Sequence, residues 1–345
     1  MKLLPKFFNF KNTIKTDKKV VEHYDKFYKI TNNEIIYKND TKIDFNNYFN
    51  NRQDIEQFLN LEIFKINRLP YNKISLTYKD TLKTFNFDSL MFKNKKIFIG
   101  NGFNNGKVYI DLKDLTHYFI VGQSGSGKSV FQNLLINNFI YNLDNLEKLI
   151  LVDLKGGVEF LQYKKVDKNK IIVIDSITKL NKLLNYLVDK MEKRYKTMVN
   201  KGLKNWNDKQ IIIFIDEYAS IKDQENLLEK DEKKELNLNL RTLLAKARAS
   251  GIKFFIATQK GTSDSIDTTI RENLQTKILL RTISKDGQRA VLGGNEVIEE
   301  LGVKPANFSK GRFIFYGETI QDLAQAPYIS EDFYKNFIKE KRIKK

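Results

Sequence analysis

The stretch HYFIVGQSGSGKSVFQNLLINNFIY, residues 117–141, determines how the rest of the chain is interpreted. Its segment Gly122-Gln123-Ser124-Gly125-Ser126-Gly127-Lys128-Ser129 fits the pattern G-x-x-x-x-G-K-[ST] and lies between an apolar strand pattern and a helical pattern, the context that this motif requires. Glycines let the backbone curl so that its N–H groups face one anion, and the N-terminus of the following helix adds partial positive charge. The stretch therefore predicts a phosphate-binding loop.

The side chains of this loop have separate expected roles. Residues 122–130, which run from Gly122 to Val130, are expected to hold ATP. Lys128 is expected to reach its β- and γ-phosphates, and the Ser129 hydroxyl is expected to bind Mg²⁺. A chance match to the pattern in a chain of this length has a probability on the order of 1%, so an accidental glycine-rich turn is a weak alternative.

A second candidate site follows the apolar run 211–215, which ends in Asp216 and Glu217. A strand buried on both faces delivers such residues to the carboxyl edge of a parallel sheet, where ligands bind in open α/β folds. Asp216 is expected to hold Mg²⁺, largely through water, and Glu217 is expected to orient and deprotonate the attacking water. An acidic strand end alone is more often a cap or a solvated turn, so this prediction depends on the phosphate-binding loop.

A third strand pattern, FFIATQ at 254–259, ends in the amide of Gln259. An amide both donates and accepts hydrogen bonds, so Gln259 is a candidate for contacting the γ-phosphate or its water. An ordinary surface glutamine at a strand end is an equally good interpretation of its position.

Short apolar runs alternate with helical patterns from about residue 96, which predicts an α/β domain with a mostly parallel sheet and crossover helices. Ser176 is expected to cap a helix whose apolar positions, from Ile177 to Met198, recur at steps of three and four. Another helix, roughly 232–250, is expected to end at Gly251. The expected strands are 117–121, 148–152, 171–174, 211–215, 253–257, 277–280 and 312–315.

The glycines mark a domain boundary, because none of the 17 occurs before Gly100. Four segments are predicted: a basic mobile arm at 1–20, a small α+β or β-rich domain at 21–95, the α/β domain at 96–330, and a basic C-terminal helix and tail at 331–345.

Composition limits the classes of function. The 345 residues are 41% hydrophobic, enough for a substantial core, and 60 Lys and Arg against 42 Asp and Glu give a formal charge of +18. This excess favours a polyanionic partner, although an AT-rich coding bias toward lysine explains it equally well. The absence of cysteine excludes disulfides, thiolate metal sites and cysteine nucleophiles. With no signal-like start and no run of ~18 apolar residues, a cytoplasmic protein is expected, at the membrane only through partners.

Several segments resemble the FtsK/SpoIIIE branch of the FtsK–HerA P-loop ATPases, over roughly 96–335. The segment GKVYIDLKDLTH at 106–117 is similar to the start of the family's motor domain, and LVDLKGGVEF at 151–160 is similar to its Asp-x-Lys segment. MEKRY at 191–195, with Gly202 and Asn205, resembles a Met-Glu-x-Arg-Tyr helix and the turn after it. KARASGI at 246–252 and ATQ at 257–259 resemble its Arg-Ala-x-Gly-Ile segment and Ala-Thr-Gln strand.

The resemblance implies a RecA-like P-loop motor domain that assembles into a ring, commonly a hexamer, and couples ATP hydrolysis to movement of DNA through its centre. It implies that Gln259 senses the nucleotide and that Arg248 is an arginine finger for the ATP of the neighbouring subunit, where a second cation stabilises transition-state charge. A charge opposing the helix dipole is the alternative for Arg248. Arg289 and Arg281 are the other candidates for the finger.

A membrane-spanning N-terminus and a C-terminal winged-helix module, two features of the chromosomal members, are not expected for this chain. A compact motor of a plasmid, conjugative element or phage is therefore expected, with DNA, further copies of itself, and a relaxase, replication or capsid protein as partners. An ATPase for protein secretion or virion assembly is an alternative. A nucleotide switch without transport is a third, but a switch has no need of a base such as Glu217.

Overall fold

A computed structural model describes residues 11–16, 19–24, 26–31, 33–39, 44–78, 82–103, 106–157, 159–262, 266–318 and 320–343. The chain divides into two compact units. The smaller unit comprises Met1–Lys83 and Gly294–Lys304, and the larger unit comprises Thr84–Gly293 and Pro305–Lys345. No helix among the described residues is long and apolar enough to span a membrane.

The smaller unit is built on antiparallel strands. The first two form a hairpin, and the next four form a sheet in the order β3-β4-β6-β5 whose apolar face packs on two short helices. This arrangement confirms the predicted small N-terminal β-containing region. The elements are β1 (Lys11–Thr16), β2 (Lys19–Tyr24), β3 (Lys26–Ile30), β4 (Glu34–Lys38), α1 (Phe45–Asn50), α2 (Arg52–Leu59), β5 (Lys65–Leu69) and β6 (Lys73–Thr77).

The expected mobile arm at 1–20 falls partly outside the described residues, since 1–10, 17 and 18 are not among them. Its remaining residues belong to the β1–β2 hairpin, in which Ile14 lies opposite Val21. Threonine, isoleucine and valine are residues that favour strands, so the hairpin agrees with the local composition better than a mobile arm does.

The larger unit contains a ten-stranded sheet in the order β11-β10-β12-β13-β9-β14-β15-β16-β7-β8. The six strands from β11 to β14 are parallel, and the pairings from β14 to β8 are antiparallel. The strands are β7 (Lys96–Gly102), β8 (Gly106–Asp111), β9 (Tyr118–Val121), β10 (Leu146–Val152), β11 (Ile171–Ile174), β12 (Gln210–Ile215), β13 (Ile252–Thr258), β14 (Thr276–Leu280), β15 (Arg312–Tyr316) and β16 (Gln321–Gln325).

The predicted α/β fold with a mostly parallel sheet is confirmed, and each of the seven predicted strands lies within two residues of its observed bounds. Every residue of β12 and of β13 is buried. Strands covered on both faces have near-continuous apolar sequences, which is why the sequence located them.

The helices cover the sheet and join its strands. Gly251 has φ +75° and follows the turn after α6, which ends at Lys246, four residues before its predicted end. Ser176 holds the N-cap position of α4 as expected, but its side chain makes no capping hydrogen bond. The helices of the larger unit are α3 (Lys128–Tyr141), α4 (Ile177–Asn200), α5 (Ala219–Gln224), α6 (Lys230–Lys246), α7 (Thr268–Glu272), α8 (Lys285–Leu292) and α10 (Glu331–Ile343), whereas α9 (Glu296–Leu301) belongs to the smaller unit.

The boundary between the units differs from the expected one near residue 95. Phe87 and Phe92 lie in the core of the larger unit, and the Phe87 N–H donates to the Tyr328 carbonyl over 2.8 Å. The smaller unit is completed by the distant segment around α9, whose following Gly302 accepts from the Ile66 N–H over 3.2 Å. The change in glycine content along the sequence therefore does not mark the boundary between the two units.

Candidate active site

The strand order brings three functional strand ends to one edge of the sheet. β13 lies between β12 and β9, with Ile256 in register with Ile215 on one side and with Phe119 on the other. The three strands are parallel, so the segments that follow them emerge together. These segments are the phosphate-binding loop after β9, the Asp216–Glu217 pair after β12, and Gln259 after β13.

The phosphate-binding loop has the backbone that its glycines predict. Gly125 and Gly127 have φ angles of +74° and +97°, values that disfavour any side chain. A Cβ on Gly122 would lie 2.6 Å from the Ser126 hydroxyl oxygen, which itself has no hydrogen-bond partner. No side chain caps the first turn of α3, so its N–H groups remain directed at the loop. The loop therefore fits a phosphate chain.

Lys128 and Asp216, predicted from separate parts of the sequence, meet in this site. The Lys128 ammonium donates to the Asp216 backbone carbonyl over 3.1 Å and lies 3.5 Å from its carboxylate Oδ1. Both side chains are largely buried, whereas Ser129, in the first turn of α3, is exposed. The predicted phosphate and metal ligands thus follow β9 and β12, which end at the same edge of the sheet on either side of β13.

Glu217 is held by the end of β13. Its Oε1 accepts from the Thr258 hydroxyl over 2.6 Å, and both carboxylate oxygens lie 3.2 Å from the Gln259 backbone nitrogen. The Lys155 ammonium lies 4.0 Å from Oε2. These contacts fix the direction of the carboxylate. Gln259 thus meets Glu217 through its backbone, while its side chain is exposed.

The segment after β10 adds further acidic groups. The Asp153 carboxylate accepts from the backbone N–H groups of Lys155 and Glu159, over 2.9 and 3.1 Å. Burial, followed by the nearby charges of Asp216 and Asp153, raises the pKa of the Glu159 carboxyl. Among the described residues no group of three or more acidic, histidine or cysteine side chains could hold a metal ion alone. Mg²⁺ commonly takes one or two protein oxygens together with substrate phosphates and water, and Ser129 and Asp216 are the residues that would supply them.

Sequence reasoning missed two contacts at this site. Thr258 was seen only as part of a strand, yet it orients Glu217. Arg281, which follows β14, donates from Nη2 to the Gly125 carbonyl over 3.3 Å, and its own carbonyl accepts from the Gln123 N–H. Arg281 therefore supports the loop of its own chain. The pairing of β14 with β9 brings Arg281 to the loop. No local sequence pattern indicates this contact, because Arg281 and Gly125 are 156 residues apart in the sequence.

Arg248 lies at the opposite edge of the sheet. It precedes β13, whereas Gln259 follows it, and seven strand residues at ~3.3 Å each separate the two by about 20 Å. Its guanidinium binds both carboxylate oxygens of Glu318, over 2.8 and 3.2 Å, which lowers the pKa of Glu318. Arg248 is therefore not brought together with the phosphate-binding loop of its own chain.

Burial and nearby positive charges lower the pKa values of two groups beside Arg248, Lys253 and His117. Burial, and then the charges of Arg248 and Arg194, lower the pKa of Lys253 to about 8. Burial, and then Lys253 and Arg248, lower the pKa of His117 to about 3, so that this imidazole is neutral. Arg289, a further finger candidate, lies on α8 with 55% of its side chain exposed. Its Nη1 is 4.0 Å from Oδ1 of Asp286.

Comparison with known proteins agrees with this geometry. Residues 91–228 match the model of the FtsK/SpoIIIE family. The DNA translocase FtsK of Leptospira interrogans is 28% identical over 270 residues, which cover 72% of this chain and 27% of that protein. The resemblance inferred from the sequence motifs is therefore confirmed, although the chain spans only about a quarter of the length of that relative. The matched region includes the phosphate-binding loop, Asp216 and Glu217.

Solved structures share the fold over a longer part of the chain. The structure of the conjugation coupling protein TcpA of pCW3, a monomer form with ATPγS, is 25% identical with a TM-score of 0.66, and 93% of each chain is covered. EssC (ATPases 2 and 3) of Geobacillus thermodenitrificans has a TM-score of 0.59 at 16% identity, covering 77% of this chain and 52% of that one. The second likeness concerns the fold alone.

Proposed function

Starting from the FtsK/SpoIIIE match over residues 91–228, we propose that this protein is an ATP-driven DNA translocase that works as a hexameric ring. The observation that carries the proposal is the meeting of Lys128, Asp216 and Glu217 at the same edge of the sheet, after β9 and β12. This combination supplies a phosphate cradle, a metal ligand and a base at one place, which are the groups that hydrolysis of a nucleoside triphosphate requires.

Each side chain has a defined part in the proposed hydrolysis. Lys128 and the N–H groups of the loop bind the β- and γ-phosphates of ATP and stabilise their charge. Mg²⁺, held by Ser129 and Asp216, would neutralise further charge on these phosphates. Glu217 accepts a proton from the attacking water, and Thr258 together with the Gln259 N–H keeps its carboxylate in position. Gln259 reports the state of the site to β13 through this same contact.

The DNA part of the proposal is supported by charge. The chain carries a formal charge of +18. A groove of about 730 Å³ is lined by Tyr218, the residue after the proposed base, and its walls carry five basic and two acidic side chains. Such a surface suits a phosphate backbone. The charged residues are Lys222, Lys230, Lys233, Lys234 and Arg241, with Glu225 and Asp267.

The ring part of the proposal is supported by Arg248. Arg248 lies about 20 Å from Gln259, at the other end of β13, so it can serve as a finger only for another subunit, and its half-exposed guanidinium lies beside Glu318 at that edge of the sheet. Because TcpA is a conjugation coupling protein, transfer of a plasmid or conjugative element is the process that we favour over genome packaging.

The experiment is ATP hydrolysis by the full chain, with and without duplex DNA. Wild-type protein is expected to hydrolyse ATP faster with DNA. Lys128→Ala should lose nucleotide binding, whereas Glu217→Gln should bind ATP and not turn it over. Lys182→Ala, on the exposed face of α4, is the matched control. Turnover that ignores both DNA and these substitutions would reject the proposal, and stimulation by polypeptide instead of DNA would support the secretion alternative.

A further inference from the structure

We propose that a cavity beside the phosphate-binding loop holds the base of the nucleotide, and that Tyr328 and Phe85 form its aromatic walls. This inference rests on the proposed function, because it assumes that the phosphates occupy the loop. The cavity has a volume of about 390 Å³, within the range of small-molecule sites. Its lining residues come from 84–86, 310–311 and 325–328, together with Gly127, Val130 and Phe131.

The cavity is continuous with the phosphate-binding loop. Gly127, the last glycine of the loop, and Val130, in the first turn of α3, line its inner end. The loop is fixed to the opposite wall, since the Gly311 N–H donates to the Ser126 carbonyl over 2.9 Å. A Cβ on Gly127 would approach Gly311 N to 2.8 Å, so the two segments are in close contact. The phosphate-binding loop therefore forms part of the cavity wall.

The strand order determines which end of the nucleotide faces the cavity. Asp216 and Glu217 follow β12, which lies on one side of β9, beyond β13. The cavity lies on the other side, where β15 begins and β16 ends, beyond β14. The γ-phosphate must be near the metal ligand and the base Glu217. The nucleobase, at the other end of the molecule, must then point toward β15 and β16.

The walls have the chemistry that a flat heterocycle needs. Tyr328 has 56% of its surface exposed, although its backbone N–H and carbonyl are both hydrogen-bonded. Its N–H donates to the Phe85 carbonyl over 2.7 Å, and its carbonyl accepts from the Phe87 N–H over 2.8 Å. Phe85, whose carbonyl accepts the Tyr328 N–H, has a half-buried side chain. An aromatic ring on a rigid backbone stacks on a base with little loss of conformational entropy.

The buried amide in the cavity lining is hydrogen-bonded within the protein. Gln325, a buried polar residue in the lining, donates from Nε2 to the carbonyls of Lys310 and Ala326 over 3.0 and 3.1 Å. Its Oε1 accepts from Arg312 Nε over 3.0 Å. Both ends of this amide are thus used within the protein. Gln325 shapes the wall, and Tyr328 is the residue to test.

The test compares ATP with inorganic tripolyphosphate, which has the phosphates and no base, by calorimetric titration of the full chain. Tyr328→Ala should weaken ATP binding about tenfold or more and leave tripolyphosphate binding unchanged. Tyr328→Phe should retain ATP affinity, because the ring remains. The matched control is Tyr186→Ala, a tyrosine of α4 with 47% exposure.

Three outcomes are distinguishable. Loss of ATP affinity in Tyr328→Ala alone, with tripolyphosphate binding intact, supports the base site and shows that the variant is folded. Equal weakening of both ligands, or no change in either, overturns it. If the wild-type protein binds neither ligand, the proposed function fails before the base site is tested.

Discussion

The Thr258 hydroxyl donates a hydrogen bond of 2.6 Å to the Glu217 carboxylate and so connects the ends of two neighbouring strands. β13 lies between the strand that precedes the phosphate-binding loop and the strand that carries the acidic pair. The Gln259 backbone nitrogen, 3.2 Å from both carboxylate oxygens of Glu217, joins the same two strand ends. The orientation of the proposed base depends on a residue that has no chemistry of its own in hydrolysis.

Replacing Thr258 tests this dependence. Thr258→Val keeps the shape of the side chain and removes the donor, and a hydrogen bond to a charged group contributes roughly 1.5–3 kcal/mol. We expect ATP turnover to fall about tenfold or more with ATP affinity unchanged, and Thr258→Ser to restore it. Steady-state kinetics and equilibrium binding separate these quantities. Faster turnover in Thr258→Val would mean that the hydroxyl restrains Glu217 instead of orienting it.

The basic groove predicts a change in the salt dependence of DNA binding. Lys230 and Lys234 lie on α6 and line the groove. Neutralising both to glutamine should reduce the log–log salt slope of duplex binding by about two, since each phosphate contact contributes about 0.9. The same pair of changes at Lys182 and Lys193, exposed on α4, is the control. Equal effects of the two double variants would show that only overall charge matters.

Arg248 predicts complementation between subunits. Arg248→Ala should bind ATP normally and lose most of its turnover, because an arginine finger supplies ~10³–10⁵ in kcat. Mixing Arg248→Ala with Glu217→Gln subunits, each inactive alone, should restore part of the ATPase activity. Near-normal turnover by Arg248→Ala would make this residue a helix-end charge paired with Glu318, and the finger would then be sought at Arg289.

Arg194 predicts a loss of stability. Its side chain is 2% exposed, lies 2.6 Å from Glu147, and donates to the carbonyls of Ser250 and Lys209. Arg194→Ala leaves the Ser250 carbonyl without this donor, and an unsatisfied buried acceptor costs about 1–3 kcal/mol. Glu147 keeps the Lys190 ammonium, 2.6 Å away. Denaturant unfolding measures the change, with the exposed Arg289→Ala as control. A difference from wild type below about 0.5 kcal/mol would contradict this structural role.

Much of the fold could be predicted, because its central strands are buried on both faces and their apolar runs stand out. The loop at 122–129 and the pair Asp216–Glu217 were equally visible, since glycine and carboxylate positions there are dictated by the ligand. Contacts between distant segments were not visible. Arg281 at Gly125, α9 beside β5, and Phe87 in the core of the larger unit depend on packing that no local pattern encodes.

The most direct test of the account is displacement of a triplex-forming oligonucleotide from duplex DNA by the full chain. Movement along the duplex requires ATP hydrolysis coupled to DNA, which binding alone does not provide. We predict ATP-dependent displacement by the wild-type protein, and none by Lys128→Ala or Glu217→Gln. DNA-stimulated ATP hydrolysis without any displacement, or displacement that persists in Glu217→Gln, would contradict the proposal that this protein is an ATP-driven DNA translocase.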